Sequence, residues 1–404
     1  EDWQLINTYP RENFRLKKDL DFTGIPQSKT YISQIYGVLD GENHIISNID
    51  SDYGYIIARL ETGGIIQNIQ FNNINLEQNR NDSFAGIIYN VNGTINNVSV
   101  NNTKIIVKSP NPIYVGILMG YGSYGNVLNS SIVDSQIIIE SNLSNANIGG
   151  ITGYLNHGNI NNSYVTNIEI QANNLSVSNN IGAIVGTITY TRIRNVYAIG
   201  MIDSNATNVG GISGYIGGYP GMIDSTYSYV NISGSSTSIG AISGNFTRNA
   251  TYINNSLALG NIYTSATTDN INRIGFADDI YNVYAWNKMT INGFSNPPVN
   301  TEILKTTQEL LDPKFYQYEI NFDNSWDISQ LSDGILPKLY STTGELLPNQ
   351  PDVYLEQPII SIENITIDKR MSDATILLEL SHNSNIEIKD IVFEYLNIDS
   401  INKI

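Results

Sequence analysis

The sequence predicts an all-β chain, a right-handed parallel β-helix of about eight coils with end caps and a small C-terminal β segment. Three observations predict it. First, a phrase of apolar, Gly, x, apolar, x, Gly recurs, most plainly as Ile148-Gly-Gly-Ile-Thr-Gly-Tyr154 and Val209-Gly-Gly-Ile-Ser-Gly-Tyr215. Its first Gly position falls at Gly54, Ala85, Gly116, Gly149, Gly182, Gly210, Gly240 and Gly275, in steps of 28 to 35 residues, which is a solenoid period. Second, each copy carries an Asn further on: Asn68, Asn97, Asn129, Asn162, Asn195, Asn255 and Asn282, with Ser225 as the exception and Asn48 as a candidate to open the series. Third, apolar residues alternate around that Asn with the period of a strand. The right hand comes from the general preference of parallel crossovers.

Each part of the repeat has a physical reason. The column Ile56, Ile87, Leu118, Ile151, Ile184, Ile212 and Ile242 should point inward, since one coil buries nothing without its neighbours. Gly lets the backbone turn or approach closely. The Asn column reads as a structural amide ladder at a corner, because an amide both donates and accepts. Coils at roughly 4.8 Å would stack into a rod of about 40 Å.

Taken in order, residues 1–50 read as the N-terminal cap, with a strand-like run over 13–22 and an Asp40-Gly41 turn. Residues 51–296 are the β-helix. Residues 297–350 are an exit cap and linker: a helix over 301–311 with Thr301 as N-cap, then Trp326, Leu336, Pro337 and Leu339 over the last coil, then a linker at Leu346–Pro351. Residues 351–404 hold strand-like runs at Ile359–Ile367, Ala374–Leu380 and Ile386–Leu396, the start of a small β domain of a longer protein.

Cysteine is absent, which excludes disulfides and thiolate metal sites. The net charge of −17 argues against a nucleic-acid partner. Residues 51–300 carry 12 acidic and 9 basic side chains, whereas 301–404 carry 18 and 7, so the solenoid surface is amide, hydroxyl and Tyr. No apolar run is long enough to insert into a membrane.

The Gly-Gly-Ile-Thr-Gly-Tyr copies, followed by Ile160-Asn-Asn-Ser-Tyr164 or Ile223-Asp-Ser-Thr-Tyr227, resemble the GLUG repeat of bacterial surface proteins. Leu39-Asp-Gly-Glu-Asn-His-Ile-Ile-Ser-Asn48 resembles the segment that precedes such repeats. Trp326-Asp-Ile-Ser, Gly334-Ile-Leu-Pro-Lys-Leu339 and Leu346-Leu-Pro-Asn-Gln350 are similar to the segment after the repeats in secreted immunoglobulin A-cleaving zinc metallopeptidases. The resemblance implies a non-catalytic, substrate-binding or spacer part, secreted or cell-wall attached, lying before a catalytic domain. That domain would hold the zinc, and the partner would be a host glycoprotein such as immunoglobulin A, or a glycan. The family's His-Glu-x-x-His is missing: His44, His157 and His382 have no adjacent Glu, so no catalytic residue, metal ligand or cofactor is assigned here. An adhesin-like glycan- or protein-binding module and a β-helix polysaccharide lyase or hydrolase are the alternatives.

Two residue sets stand out. Asp278-Asp279 is an adjacent acidic pair, readable as an enzyme pair or, more simply, as a solvated turn. Tyr164, Tyr197, Tyr227 and Tyr284 follow the Asn position by two, with Leu257 in the same row, and should point outward. They form a candidate binding stripe, with the plainer alternative that stacked rings stabilise the sheet or lie under the C-terminal segment.

Overall fold

The computed structural model describes residues 2–355 apart from 112–113, 177, 219, 248–250, 266–270 and 293–302, and beyond 355 only four short strands. The chain winds into a β-solenoid of about eight turns built from one sheet of fourteen strands and two of seven. Successive coils pair in parallel, as Thr94–Val107 does with Ile65–Gln78 and Arg192–Ser204 with Gly221–Gly234. A single turn reads Asn147–Gly149, Thr152–Asn156, then the long strand Asn159–Ala172 of the wide sheet.

The core is a set of axial columns. Ile66, Ile95, Val127, Ile160, Ile193, Ile223 and Ile253 stand in register and are fully buried. So does the Ile56 to Ile242 column, at 0–1% exposure. Each such side chain contributes about 1.5–3 kcal/mol relative to exposure.

Long strands of the wide sheet bend at left-handed residues. The Asn column and Ser225 lie at φ 46° to 53°, a region Asn enters at less cost than other side chains because its short amide bonds locally. A second corner lies five residues on, at Asn73, Asn102, Asp134 and Asn167. Asn48 belongs there, since Ser47 pairs with Asn72 and Ile49 with Ile74, so it does not open the first column. The Gly column needs two corrections. Ala85 stands opposite Val115, which places Gly86 opposite Gly116. Gly240 faces Asn272, while Gly275 bridges to Ser243. In both coils the repeat is offset by a local irregularity that the motif alone conceals.

The outer faces of the two seven-stranded sheets fold against each other. A Cβ on Gly186 would sit 2.4 Å from the Ile148 nitrogen, and one on Gly153 2.4 Å from that of Val115. The second Gly of the repeat therefore permits backbone-to-backbone contact. The corner is filled by rings in the early coils, such as Tyr114 and Tyr121 at 5.4 Å. In later coils amides fill it, as where Asn245 donates to Asn208 at 2.9 Å.

At the N-terminus, Phe14–Arg15 and Leu20–Asp21 are two short strands in place of one run, and both pair with Val38–Ser51, the first full-length strand. After the last coil, Ile303–Lys305 pairs with Tyr284–Trp286. The helix is shorter than the sequence suggests: Thr307–Leu310, capped by Thr306 in a reciprocal box with Glu309. The expected cap Thr301 lies outside the described residues, as does Ala374–Leu380. Ile359–Ile362 pairs with Asn385–Ile388, and Thr366–Ile367 with Val392–Phe393, both in parallel.

Candidate functional site

The tyrosine row forms as a register consequence: Tyr164, Tyr197, Tyr227, Leu257 and Tyr284 pair across consecutive strands. Ring centroids lie 5.1 Å apart for Tyr164–Tyr197 and 4.7 Å for Tyr197–Tyr227, with planes 5° and 10° from parallel. The row is not a free surface. Tyr164, Tyr197 and Tyr227 are at most 1% exposed and Tyr284 7%. The expected binding stripe is therefore corrected: a strap formed by residues 306–355 covers it.

The strap is held by the rings themselves. Tyr227 donates its hydroxyl to the Pro337 carbonyl at 3.1 Å and Tyr164 donates to that of Pro348. Tyr197 donates to Gln350 Oε1 at 3.3 Å, and Tyr284 to the Glu319 carbonyl at 3.5 Å. Trp326 packs on Tyr227 at 5.6 Å. It thus lies on the side of the solenoid and not over its last coil. Leu346–Pro351 is not a free linker. Leu347 is buried, and the Gln350 amide spans the strap, donating to the Leu339 and Leu347 carbonyls at 2.9 and 3.0 Å. Burial raises the phenol pKa of Tyr164 and pushes those of Tyr197 and Tyr227 well above the usual value.

The Asn column meets the strap at its edge. Asn129 donates to Thr342 Oγ1 at 3.1 Å, Asn162 to the Tyr340 carbonyl at 3.1 Å, and Asn195 to Asp323 at 3.3 Å. Only some rungs join column members directly: Asn97 to Asn68 at 2.8 Å, Asn195 to Asn162 and Asn282 to Asn255 both at 3.2 Å. Asn68, Asn129 and Asn255 donate instead to Asp40, Asn96 and Asp224. A uniform amide ladder is thus replaced by a mixed one, because the residue just before the corner supplies the acceptor in those coils.

Where solenoid and strap diverge they leave a cleft of about 710 Å³. Its floor is Leu128, Asn159, Asn161, Asn162, Arg192, Arg194 and Asn195; its walls are Asp323–Ser325, 340–342 and Gly344. Arg194 Nη2 bonds Asp323 at 3.0 Å, and its Nε lies 3.4 Å from Asp224, an ion pair not aligned as a hydrogen bond. Sequence reasoning missed this site. Its signal was Arg192-Ile-Arg194, alone in the repeats as a basic pair at outward strand positions.

Three exposed rings stand just before the cleft floor. Tyr124, His157 and Tyr190 occupy one turn on consecutive coils and stack at 5.1 and 4.4 Å. A second strip of half-buried rings runs through Tyr53, Tyr55, Tyr89, Phe84, Tyr121 and Tyr154. Burial pushes the Tyr55 phenol up to about 12.

Asp278 accepts hydrogen bonds from the Thr251 nitrogen at 2.9 Å and hydroxyl at 3.1 Å, tying the turn to the preceding coil, while Asp279 opens the next strand. Among the described residues no three His, Cys, Asp or Glu side chains gather as a metal site would need. No helix among them is long and apolar enough to cross a membrane.

No protein-family model matches the chain, and no curated protein does. Among solved structures, a candidate immunoglobulin A1 protease from Bacteroides ovatus is similar, with 19% identity and a TM-score of 0.41 over 78% of this chain and 83% of that one. At that level the likeness assigns neither family nor activity.

Proposed function

We propose that this chain is a non-catalytic, substrate-engaging module of a secreted or cell-wall-attached bacterial zinc metallopeptidase that acts on a host glycoprotein such as immunoglobulin A. The observation that carries the engaging role is the cleft. Strap and coils build it jointly, it is lined mainly by amide, hydroxyl and guanidinium groups, and it lies on the side wall of the solenoid. The resemblance of the repeats and of the Leu-Pro-Asn-Gln segment supports the assignment to such peptidases. In this reading the catalytic domain and its zinc lie downstream, and the present residues hold substrate. Asp278 is occupied in binding Thr251, which speaks against a polysaccharide-cleaving acid pair.

The test has two parts. The gene beyond residue 404 should encode a His-Glu-x-x-His; a wall anchor in its place would favour an adhesin. In the longer protein, deleting residues 1–355 should raise KM for intact immunoglobulin A and leave kcat/KM for a short hinge peptide unchanged. Equal loss on both substrates would sink the engaging role.

A further inference from the structure

We infer that the cleft is a subsite for a neutral saccharide. This rests on reading the chain as a substrate-engaging module and names the chemistry it engages.

The cleft floor is a grid. Asn159 pairs with Arg192 and Asn161 with Arg194 on adjacent strands. Outward positions two residues apart lie about 7 Å from each other, and neighbouring strands about 4.8 Å. The floor therefore presents four planar polar groups at two spacings. Amide and guanidinium groups hold their donors and acceptors in fixed forks. Such forks match vicinal hydroxyls, each of which donates and accepts.

Bonding capacity is left over there. Asn161 Oδ1 and Arg194 Nε are buried atoms without a hydrogen-bond partner among the described residues. Both residues line the cleft. An unmade bond at a buried polar atom is costly, so a small reorientation of either side chain toward a hydroxyl-bearing ligand would be favourable. Arg192 is exposed, and its guanidinium makes no ion pair with a described residue.

The charge pattern disfavours an acidic ligand on the strap side of the cleft, while Arg192, without an ion pair among the described residues, bonds an uncharged hydroxyl as well as a carboxylate. Arg194 is already matched by Asp224 and Asp323, and Asp323 itself forms a wall of the cleft. A carboxylate entering beside it would meet repulsion, while a polyol would not.

The sheet topology selects against an extended peptide. The floor is the face of a sheet whose strands are paired on both sides. It offers no free main-chain edge for strand addition, so recognition must run through side chains. The rim agrees: Tyr124, His157 and Tyr190 stand two residues before Asn126, Asn159 and Arg192. They stack along the rod, so their edges and polar atoms face outward, with Tyr124 at 61% and Tyr190 at 48% exposure. A saccharide leaving the cleft would meet their hydroxyl and imidazole groups at the rim.

The experiment uses the full chain. It is applied to a printed array of neutral and carboxylated oligosaccharides, and to native and enzymatically deglycosylated immunoglobulin A. Neutral glycans and the native protein should be retained. Arg192→Ala should weaken both by about tenfold with Tm unchanged, and Arg192→Lys should restore little, since an ammonium lacks the fork. Binding indifferent to Arg192→Ala and Asn159→Ala, or confined to carboxylated glycans, overturns the inference. Equal retention of deglycosylated immunoglobulin overturns it too, while leaving the module reading standing. Failure to retain any probe removes both.

Discussion

Trp326 donates its indole N–H to Asn195 Oδ1 at 3.1 Å, across 131 residues of sequence. Asn195 in turn donates to Asn162 in the preceding coil and to Asp323 in the strap. One left-handed corner residue thus serves the axial stack and the lateral cover together.

Trp326→Ala removes that bond and the packing on Tyr227 and Phe322, the latter at 4.5 Å. The expected loss is about 3–5 kcal/mol, as for truncating a buried aromatic. Urea unfolding would read it, and limited proteolysis should cut first within 306–355. An unchanged midpoint would mean the strap is anchored elsewhere.

Asn195→Ala places a methyl group at a positive φ and strips acceptors and donors from three neighbours. A cost of roughly 1–3 kcal/mol is expected. Asn195→Gly should cost less, because Gly enters the left-handed region freely. Exposed Asn142→Ala should stay within about 0.5 kcal/mol. Asn167, at the second corner, donates to Asp134 at 2.8 Å, so Asn167→Ala should cost more than Asn142→Ala. Thermal melts that rank Gly below Ala would refute a backbone contribution at this corner.

Gly186→Ala should push apart the outer faces of the two narrow sheets, because its Cβ would lie 2.4 Å from a main-chain nitrogen. Overpacking of this kind costs about 1–3 kcal/mol or more. A melting temperature within error of the parent would show that the corner opens freely.

Alkali should unfold the chain before it ionises the covered row. The folded pKa values of Tyr164, Tyr197 and Tyr227 are raised by burial. Their contribution is complete below the unfolded value of about 10 and declines above it, as the unfolded state loses protons that the folded state keeps. Stability measured by urea should be flat to about pH 9 and fall beyond about pH 10. Phenolate absorbance appearing for all tyrosines before unfolding would contradict this.

Sequence alone made the stack legible because a solenoid repeats its physics in every coil. Each inward Ile and each left-handed Asn has counterparts about thirty residues away. The second corner follows Asn68, Asn97, Asn129 and Asn162 by five residues but does not continue past Asn167, where Gly200 and Val230 take its place, so it is a weaker periodic signal than the first. The strap was not legible. Trp326 with Asn195 and Thr342 with Asn129 are contacts made once, without a repeat to announce them. Outward direction was read correctly for the tyrosines, but what covers an outward face is decided by such unrepeated contacts. The cleft, built half from the strap, was hidden for the same reason.

The path of the strap also determines how the rod bears load. It meets Tyr284 at Glu319, travels back to Asn129 at Thr342, then reverses through Tyr164 and Tyr197 to Tyr229, which donates to the Leu355 carbonyl at 3.4 Å. Tension applied at Leu355 meets hydroxyl and amide clamps on several coils in succession. It does not fall on Ile303–Lys305, whose three-residue pairing would otherwise peel strand by strand. The tyrosines act as rivets that must be broken one after another before the coils beneath are uncovered.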